Sequence, residues 1–443
     1  MLFDKKAIRA LLVPLVIEQV LTGLMGVADT VMVSNIGEAA VSGVALVDAI
    51  NLLVVQFMSA LAAGGTIVCA QYMGRRDETD ANRASAQVTL AGLVISSALC
   101  VALVLLRRPV LRLIFGTVEK DVMDAALTYL LITALSYPFL ALYTTSAALF
   151  RAVGDARRPM LVAAAADALN IVGNAVLMFV LRWGVTGAAV ATLASRVFSA
   201  VLMLRWQLRP GLPISLTDVR HIRPDWAMIR RVLRIGLPAA VENGMFQLGR
   251  LVVQSTVSVL GTTAIAAQAL ALTLETFGSM PAQAVGIGLM TVAGQTLGRG
   301  REDEARYYIR RFTWISALTV LGTSVLIAGG APLVVRFTAL SADGAALVCR
   351  ILWVTCAIKV CIWPHAFTLP NGLRAAGDVS YAMWVTTVSM WVFRVALSWI
   401  LCRHTAVGLW GVWIGWCTDW LVRHICFRVR FHGDRWLRHA VID

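Results

Sequence analysis

Glu18 and Asp29 lie in the stretch PLVIEQVLTGLMGVADTVMVSNIG (Pro14 to Gly37), which is otherwise apolar enough to cross a bilayer. Eleven residues separate them, close to three turns of α-helix, so both carboxylates project from one side. An acid at that depth is costly, and its usual justification is an ion or proton site. Burial favours the neutral form of a carboxylic acid, so such a residue can trade a proton. The plainer alternative for Asp29 is a packing acid bonded to a neighbouring amide. Asn170 and Asn174, one turn apart on a later apolar run, offer carbonyl oxygens suited to Na⁺ or to bonding such an acid. Amides also serve as ordinary interhelical glue.

A second polar set occurs later in the chain. Asn243, Gln247, Arg250 and Gln254 follow three- and four-residue spacing and form one stripe on a helix. Glu275, Lys359 and Arg394 fall within further apolar runs. A long cationic side chain at mid-span demands a buried acid or else water and ligand, since an unpaired charge in hydrocarbon costs at least about 2.5 kcal/mol. Glu275 and Glu242 are the nearest candidate acids in sequence, which leaves one of the three bases over. Two readings stay open: internal pairs, or a hydrated basic wall favouring zwitterionic or anionic substrates.

The elements that must position these residues follow from composition. A mean hydropathy of +0.76, with 59% hydrophobic and 14% charged residues, excludes an ordinary soluble domain. At roughly 20 residues per span, the 443-residue chain accommodates about twelve helices. The net charge of +14 resides mainly in loops between apolar runs, which argues against a nucleic-acid partner. Eight scattered cysteines without CxxC spacing read as small apolar residues, with no disulfide or metal role. No HExxH, no Ser/His/Asp constellation and no GxxxxGK[ST] loop is present, so neither an enzyme nor an ATP-driven pump is expected. No cofactor is expected either.

The chain repeats itself. At an offset of 224, Pro14, Glu18 and Gly37 recur as Pro238, Glu242 and Gly261, while Asp29 is replaced by Val253. Arg151 and the pair Gly154-Asp155 recur as Arg374 and Gly377-Asp378 at offset 223. Recurrence of Glu18 as Glu242 favours a gate or structural anchor. The expected fold is all-α and integral to the membrane, with twelve transmembrane helices in two pseudo-twofold-related six-helix bundles. The expected division is a first lobe at 1–206, a cytoplasmic linker at 207–236 and a second lobe at 237–432, followed by a tail at 433–443. Within the linker, DWAMIRRVLRIG puts Trp226, Ile229 and Leu233 on one face, as in a helix lying on the membrane surface with Asp225 as its cap. Helix 4 is expected to run from about Asp121 to Phe150 and helix 5 from about Leu161 to Leu181. Pro138, Pro281, Pro364 and Pro370 are expected to kink their spans. The first span is read as retained, not as a cleaved signal. Most of the 39 Lys and Arg fall on one side when both termini are inside, although Arg107, Arg108, Arg112 and Lys120 oppose that orientation.

With two six-helix halves, ADTVMVS on helix 1, MGRRDETDANRA after helix 2, RAVGDARRPM after helix 4, LPAAVENGMFQ in helix 7 and LRAAGD after helix 10, the chain resembles the multidrug and toxic compound extrusion (MATE) transporters. The resemblance covers essentially the whole length. It implies a secondary antiporter exporting small organic compounds, drug-like or metabolite, against H⁺ or Na⁺. A monomer in a bacterial-type inner membrane, in contact with lipid, is the expected setting. In one branch of that family the cation site uses a helix-1 Asp, two helix-5 residues four apart and a helix-6 Thr. Those places hold Asp29, Asn170, Asn174 and Thr192, with an amide where the family has a second acid. The second-lobe acids of another branch have no clear match. Substrate contact is expected from Asn243, Gln247, Arg250, Gln254, Lys359 and Arg394. A lipid-linked precursor flippase of the same superfamily is the rival, because cavity bases would suit a phosphate.

Overall fold

A computed structural model describes residues 2–116, 119–209, 211–216, 223–338, 340–439 and 441–442. Among the described residues the regular structure is helical throughout. The elements are α1 (Lys5–Ser34), α2 (Glu38–Arg75), α3 (Glu78–Phe115), α4 (Lys120–Leu135), α5 (Tyr137–Ala152), α6 (Arg157–Asn174) and α7 (Gly184–Gln207). After them come α8 (Trp226–Ser258), α9 (Thr262–Gly298), α10 (Glu302–Arg336), α11 (Ala342–Trp363), α12 (Leu369–Ala375), α13 (Val379–Ser389), α14 (Ser398–His404) and α15 (Trp410–His432). Three π-helical segments, Ala175–Val180, Pro364–Thr368 and Met390–Leu397, extend α6 or join α11 to α12 and α13 to α14.

Eight helical rods are long and apolar enough to cross a membrane, or nine when α4 and α5 count as one span broken by a 45° bend. α8, α9 and α15 bring the described total to twelve. They are membrane-length at about 1.5 Å per residue, but carry Glu242, Arg250, Glu275, Asp419 and Arg423, which lower their mean hydropathy. The bend at Ser136 falls next to Pro138, as the proline position leads one to expect. Pro364 likewise opens a π segment. Large apolar side chains such as Leu105, Leu113 and Leu326 point outward, the arrangement that lipid demands.

By packing, the chain falls into two units. One is Arg9–Ala240; the other is Val241 onward together with residues up to Ile8. Val47, Leu130, Ala134, Tyr137 and Ala189 centre the core of the first, and Val257, Ala267, Ile351, Val412 and Trp413 that of the second. The duplication is visible in the backbone. Gly154 and Gly377 take φ of 90° and 91°, a left-handed geometry that glycine adopts without strain. The aspartates after them fasten the turns: Asp155 Oδ1 accepts from the Arg157 and Arg158 amides, and Asp378 receives Arg430.

The amphipathic stretch expected to lie apart on the membrane surface is instead the start of α8, which runs unbroken from Trp226 through Pro238. Its buried face is Met228, Val232 and Ile235, while Trp226 is exposed. Asp225 does cap it, accepting from the Ala227 and Met228 amides at 3.1 and 3.2 Å. Gly236 lets α8 approach α2 closely, since a Cβ on facing Gly64 would come within 2.9 Å of the Gly236 nitrogen. Pro210 and 217–222 of the expected linker, and 440 and 443 of the expected tail, lie outside the described residues.

Candidate functional site

Asp29 sits on α1, in the part of that helix that belongs to the unit Arg9–Ala240. Opposite it, the last turns of α6 present Asn170 and Asn174 on one face. The Asn174 Nδ2 donates to Asp29 Oδ1 at 2.7 Å and to Asn170 Oδ1 at 3.0 Å. Asn170 Nδ2 in turn donates to Thr192 Oγ1 on α7 at 3.4 Å. The structure thus brings together the four residues Asp29, Asn170, Asn174 and Thr192 in one chain of bonds. Asn174 is 1% exposed, and its Oδ1 has no hydrogen-bond partner among the described residues. Asp29, Asn174 and Thr192 line a cavity of about 500 Å³ in the first lobe, walled by small residues such as Gly26, Ala163, Ala166, Ala188 and Ser195.

Three charged residues of this cavity were not among the expected site residues: Asp48 on α2, Asp167 on α6 and Arg196 on α7. Asp48 Oδ1 accepts from Asn51 Nδ2 at 3.2 Å, and Asn51 Oδ1 accepts from the Tyr137 hydroxyl at 2.7 Å. Arg196 Nη1 donates to Ser136 Oγ at 2.6 Å, at the break between α4 and α5. Extending the helical spacing one turn back from Asn170 would have reached Asp167. Asp48 and Arg196 carry the same signal as Asp29, a charge in an apolar run.

Glu18 and Glu242 occupy equivalent places and make equivalent contacts. Glu18 pairs with Arg151 and receives the Tyr143 hydroxyl at 3.5 Å. Glu242 pairs with Arg374 at 2.6 Å, and Arg374 also donates to Asn371 Oδ1 at 2.8 Å. In each lobe, therefore, the arginine before the repeated Gly-Asp turn reaches back to the glutamate of the lobe's first span.

The second-lobe bases divide. Lys359 Nζ lies 2.9 Å from Glu275 Oε1 and donates to Ser279 Oγ at 2.6 Å. Arg394 Nη2 lies 2.6 Å from Asp419 Oδ2, with its guanidinium over the Trp416 and Phe246 rings. Asp419 also receives Arg423 Nε at 2.7 Å and the Ser389 hydroxyl at 2.5 Å. Both Lys359 and Arg394 are buried in internal pairs, so of the two readings left open for them the structure has internal pairing. The count of candidate acids omitted Asp419 on α15, 25 residues beyond Arg394. Of the polar stripe, Gln247 is buried, Asn243 half-buried, and Gln254 and Arg250 exposed. Arg250 has no ion pair among the described residues. No group of three or more His, Cys, Asp or Glu able to hold a metal ion occurs among the described residues.

A duplicated, twelve-span helical protein with a polar cavity inside one lobe has the build of a membrane transporter. The MatE family pattern matches residues 14–176 and 238–400, one match in each half. The chain belongs to the MatE family of transporters. It is 26% identical to a probable multidrug resistance protein NorM of Thermotoga maritima, over 99% of this chain and 94% of that protein. It is also 26% identical to the uncharacterized transporter YisQ of Bacillus subtilis, over 97% and 94%. A solved structure of MATE in the straight conformation superposes with a TM-score of 0.90 at 22% identity, covering 97% of this chain and 96% of that one.

Proposed function

We propose that this protein is a secondary antiporter that exports organic compounds, drug-like or metabolite, in exchange for H⁺ or Na⁺, with Asp29 carrying the coupling cation. The observation behind this reading is the Asn174 amide. It bridges Asp29 to Asn170 while its own oxygen remains buried and unpartnered beside the cavity. A charged acid held by an amide donor is stabilised as an anion, and arrival of a cation removes the need for that donor. The amide is then free to rotate, and the repacking of α1 against α6 favours the second conformational state. Exchange requires only that cation and substrate prefer opposite states. The relative from Thermotoga maritima, named as a probable multidrug resistance protein, agrees with export of foreign compounds.

A lipid-linked precursor flippase is less well supported. Lys359 and Arg394, which would have met the phosphates, are engaged by Glu275 and Asp419. The protein is taken to work as a monomer in a bacterial-type inner membrane with both termini inside. The test is transport by purified protein in liposomes with H⁺ and Na⁺ gradients imposed separately. Asp29→Asn is expected to bind a cationic dye while losing all gradient dependence. Wild-type exchange by Asp29→Asn removes this residue from the mechanism.

A further inference from the structure

The first lobe holds three buried side-chain oxygens that no described group satisfies: Asn174 Oδ1, Asp167 Oδ2 and Glu18 Oε2. Buried polar atoms are nearly always bonded, so orphans ask for an explanation. These three come from two helices, α1 and α6, and they fall in order. Asn174 is bonded to Asp29, and Tyr143, which lines the same cavity as Asp167, donates its hydroxyl to Glu18 at 3.5 Å. The two helices therefore run in the same direction, side by side. At about 1.5 Å per residue, Asp167 lies about 10 Å from Asn174 along α6, and Glu18 about 16 Å from Asp29 along α1. Asp167 thus stands between the Asp29 site and Glu18, in the wall of the cavity.

We propose that Asp167 is a proton way-station linking Asp29 to Glu18, which rests on the reading of Asp29 as the coupling acid. A metal cation needs several convergent oxygens, whereas a proton needs one, and Asp167 Oδ2 is a buried oxygen with no partner among the described residues. Each transfer is balanced. The proton leaves one carboxyl, passes through water in the cavity, and restores the O–H bond on the next, with no change of oxidation state. The charged and titratable groups around Asp167 are Asp29 and Glu18 on α1, Asp48 on α2, Tyr129 on α4, Tyr143 and Arg151 on α5, and Arg196 on α7. Glu18 ends the route: Arg151 engages its Oε1, while its Oε2, which no described group satisfies, is left to take the proton. The second lobe keeps the glutamate, as Glu242, but has Trp391 at the place of Asp167 and Val253 at that of Asp29. The route therefore belongs to one lobe alone, and the shared glutamate clamp does not by itself create it.

The experiment reads rate and amplitude separately. Ethidium is mixed with detergent-solubilised protein, and proton release is followed by stopped flow with a pH-indicator dye. Asp167→Asn is expected to release as many protons as the wild type, about tenfold more slowly or worse. Formate, a small diffusible acid, is expected to restore the speed, and so is Asp167→Glu. A purely structural role would not respond to formate. Wild-type speed in Asp167→Asn, a lost amplitude, or slowness that neither formate nor Asp167→Glu repairs would overturn the proposal. Asp29→Asn supplies the other arm. If it keeps the wild-type amplitude, Asp29 is not the proton-coupling acid, whatever Asp167 does, and absence of any release from the wild type overturns the Asp167 route while leaving Na⁺ exchange at Asp29 standing.

Discussion

The two lobes began as one unit and now differ most at the same address. Gly26, Thr192, Ser195, Arg196 and Ser199 line the first-lobe cavity. At offset 224 their counterparts are Arg250, Trp416, Asp419, Trp420 and Arg423. Apart from Arg196, the first-lobe side chains are small or hydroxylic and leave a hollow in one copy. In the other, apart from the exposed Arg250, rings and buried bases fill the space and lock to one another: Arg394 lies over Trp416, and Asp419 binds two guanidiniums. Protein interiors are close-packed by default, so a hollow is the exception that function must maintain. One lobe is thus free to change its packing with its charge, and the other serves as the braced frame.

That contrast predicts opposite responses to similar substitutions. The largest effect is expected at Asp419. Asp419→Asn leaves Arg394 and Arg423, both nearly inaccessible, without their acid, and breaking a buried pair costs about 3–5 kcal/mol. Thermal unfolding in detergent should show a large loss, whereas Asp29→Asn should cost less than about 1.5 kcal/mol because the amide oxygen can still accept from Asn174. Equal losses would erase the distinction between hollow and braced lobes.

A middle-sized effect separates two glycines. A Cβ on Gly415 would meet Ser398 Oγ at 2.2 Å and the Phe393 carbonyl oxygen at 2.9 Å, while one on Gly26 meets nothing within 4 Å. Gly415→Ala should destabilise by about 1–3 kcal/mol. Gly26→Ala should be neutral or stabilise by up to about 1 kcal/mol through helix propensity. Denaturation midpoints of the two variants, compared side by side, decide it. The smallest net effect should come from removing a whole pair. Lys359→Met with Glu275→Leu replaces both buried charges by apolar groups and should leave stability near wild type, whereas Lys359→Met alone should not. A double variant as unstable as the single one would mean that the Lys359–Glu275 pair braces the lobe in a way apolar packing cannot replace.

Much of this was legible beforehand, and the reason lies in periodicity. Asp29, Asn170 and Asn174 announce themselves because polar groups at helical spacing in apolar runs stand out, and the family resemblance supplied Thr192. The glutamate anchors were legible through duplication, since Glu18 and Glu242 recur along with Arg151 and Arg374. Which acid meets which base was not. Asp419 is 25 residues from Arg394 in sequence, and only the packing of α15 against the π segment around Met390–Leu397 joins them. Asp167 escaped because its spacing marks a face without saying what another helix presents to it. The start of α8 was misread for a related reason. Its arginines suit a water-facing surface equally well on a separate helix or on the first turns of a span, and the alternation of residues cannot say where the helix continues.

The aromatic filling of the second lobe also gives the molecule an optical asymmetry. All but three of its 14 tryptophans, Trp183, Trp206 and Trp226, lie beyond residue 300, and none lines the first-lobe cavity. Trp413, Trp416 and Trp420 are buried together, with ring centroids 5.1 and 6.3 Å apart in succession. Intrinsic emission therefore comes mostly from the lobe that has no Asp29, and titration of the cavity acids is dark to it. A change of tryptophan fluorescence that follows a pH jump, vanishes in Asp29→Asn and survives replacement of Trp183, Trp206 and Trp226 by Phe must have travelled from one lobe to the other, so the protein carries its own gauge of the coupling between them.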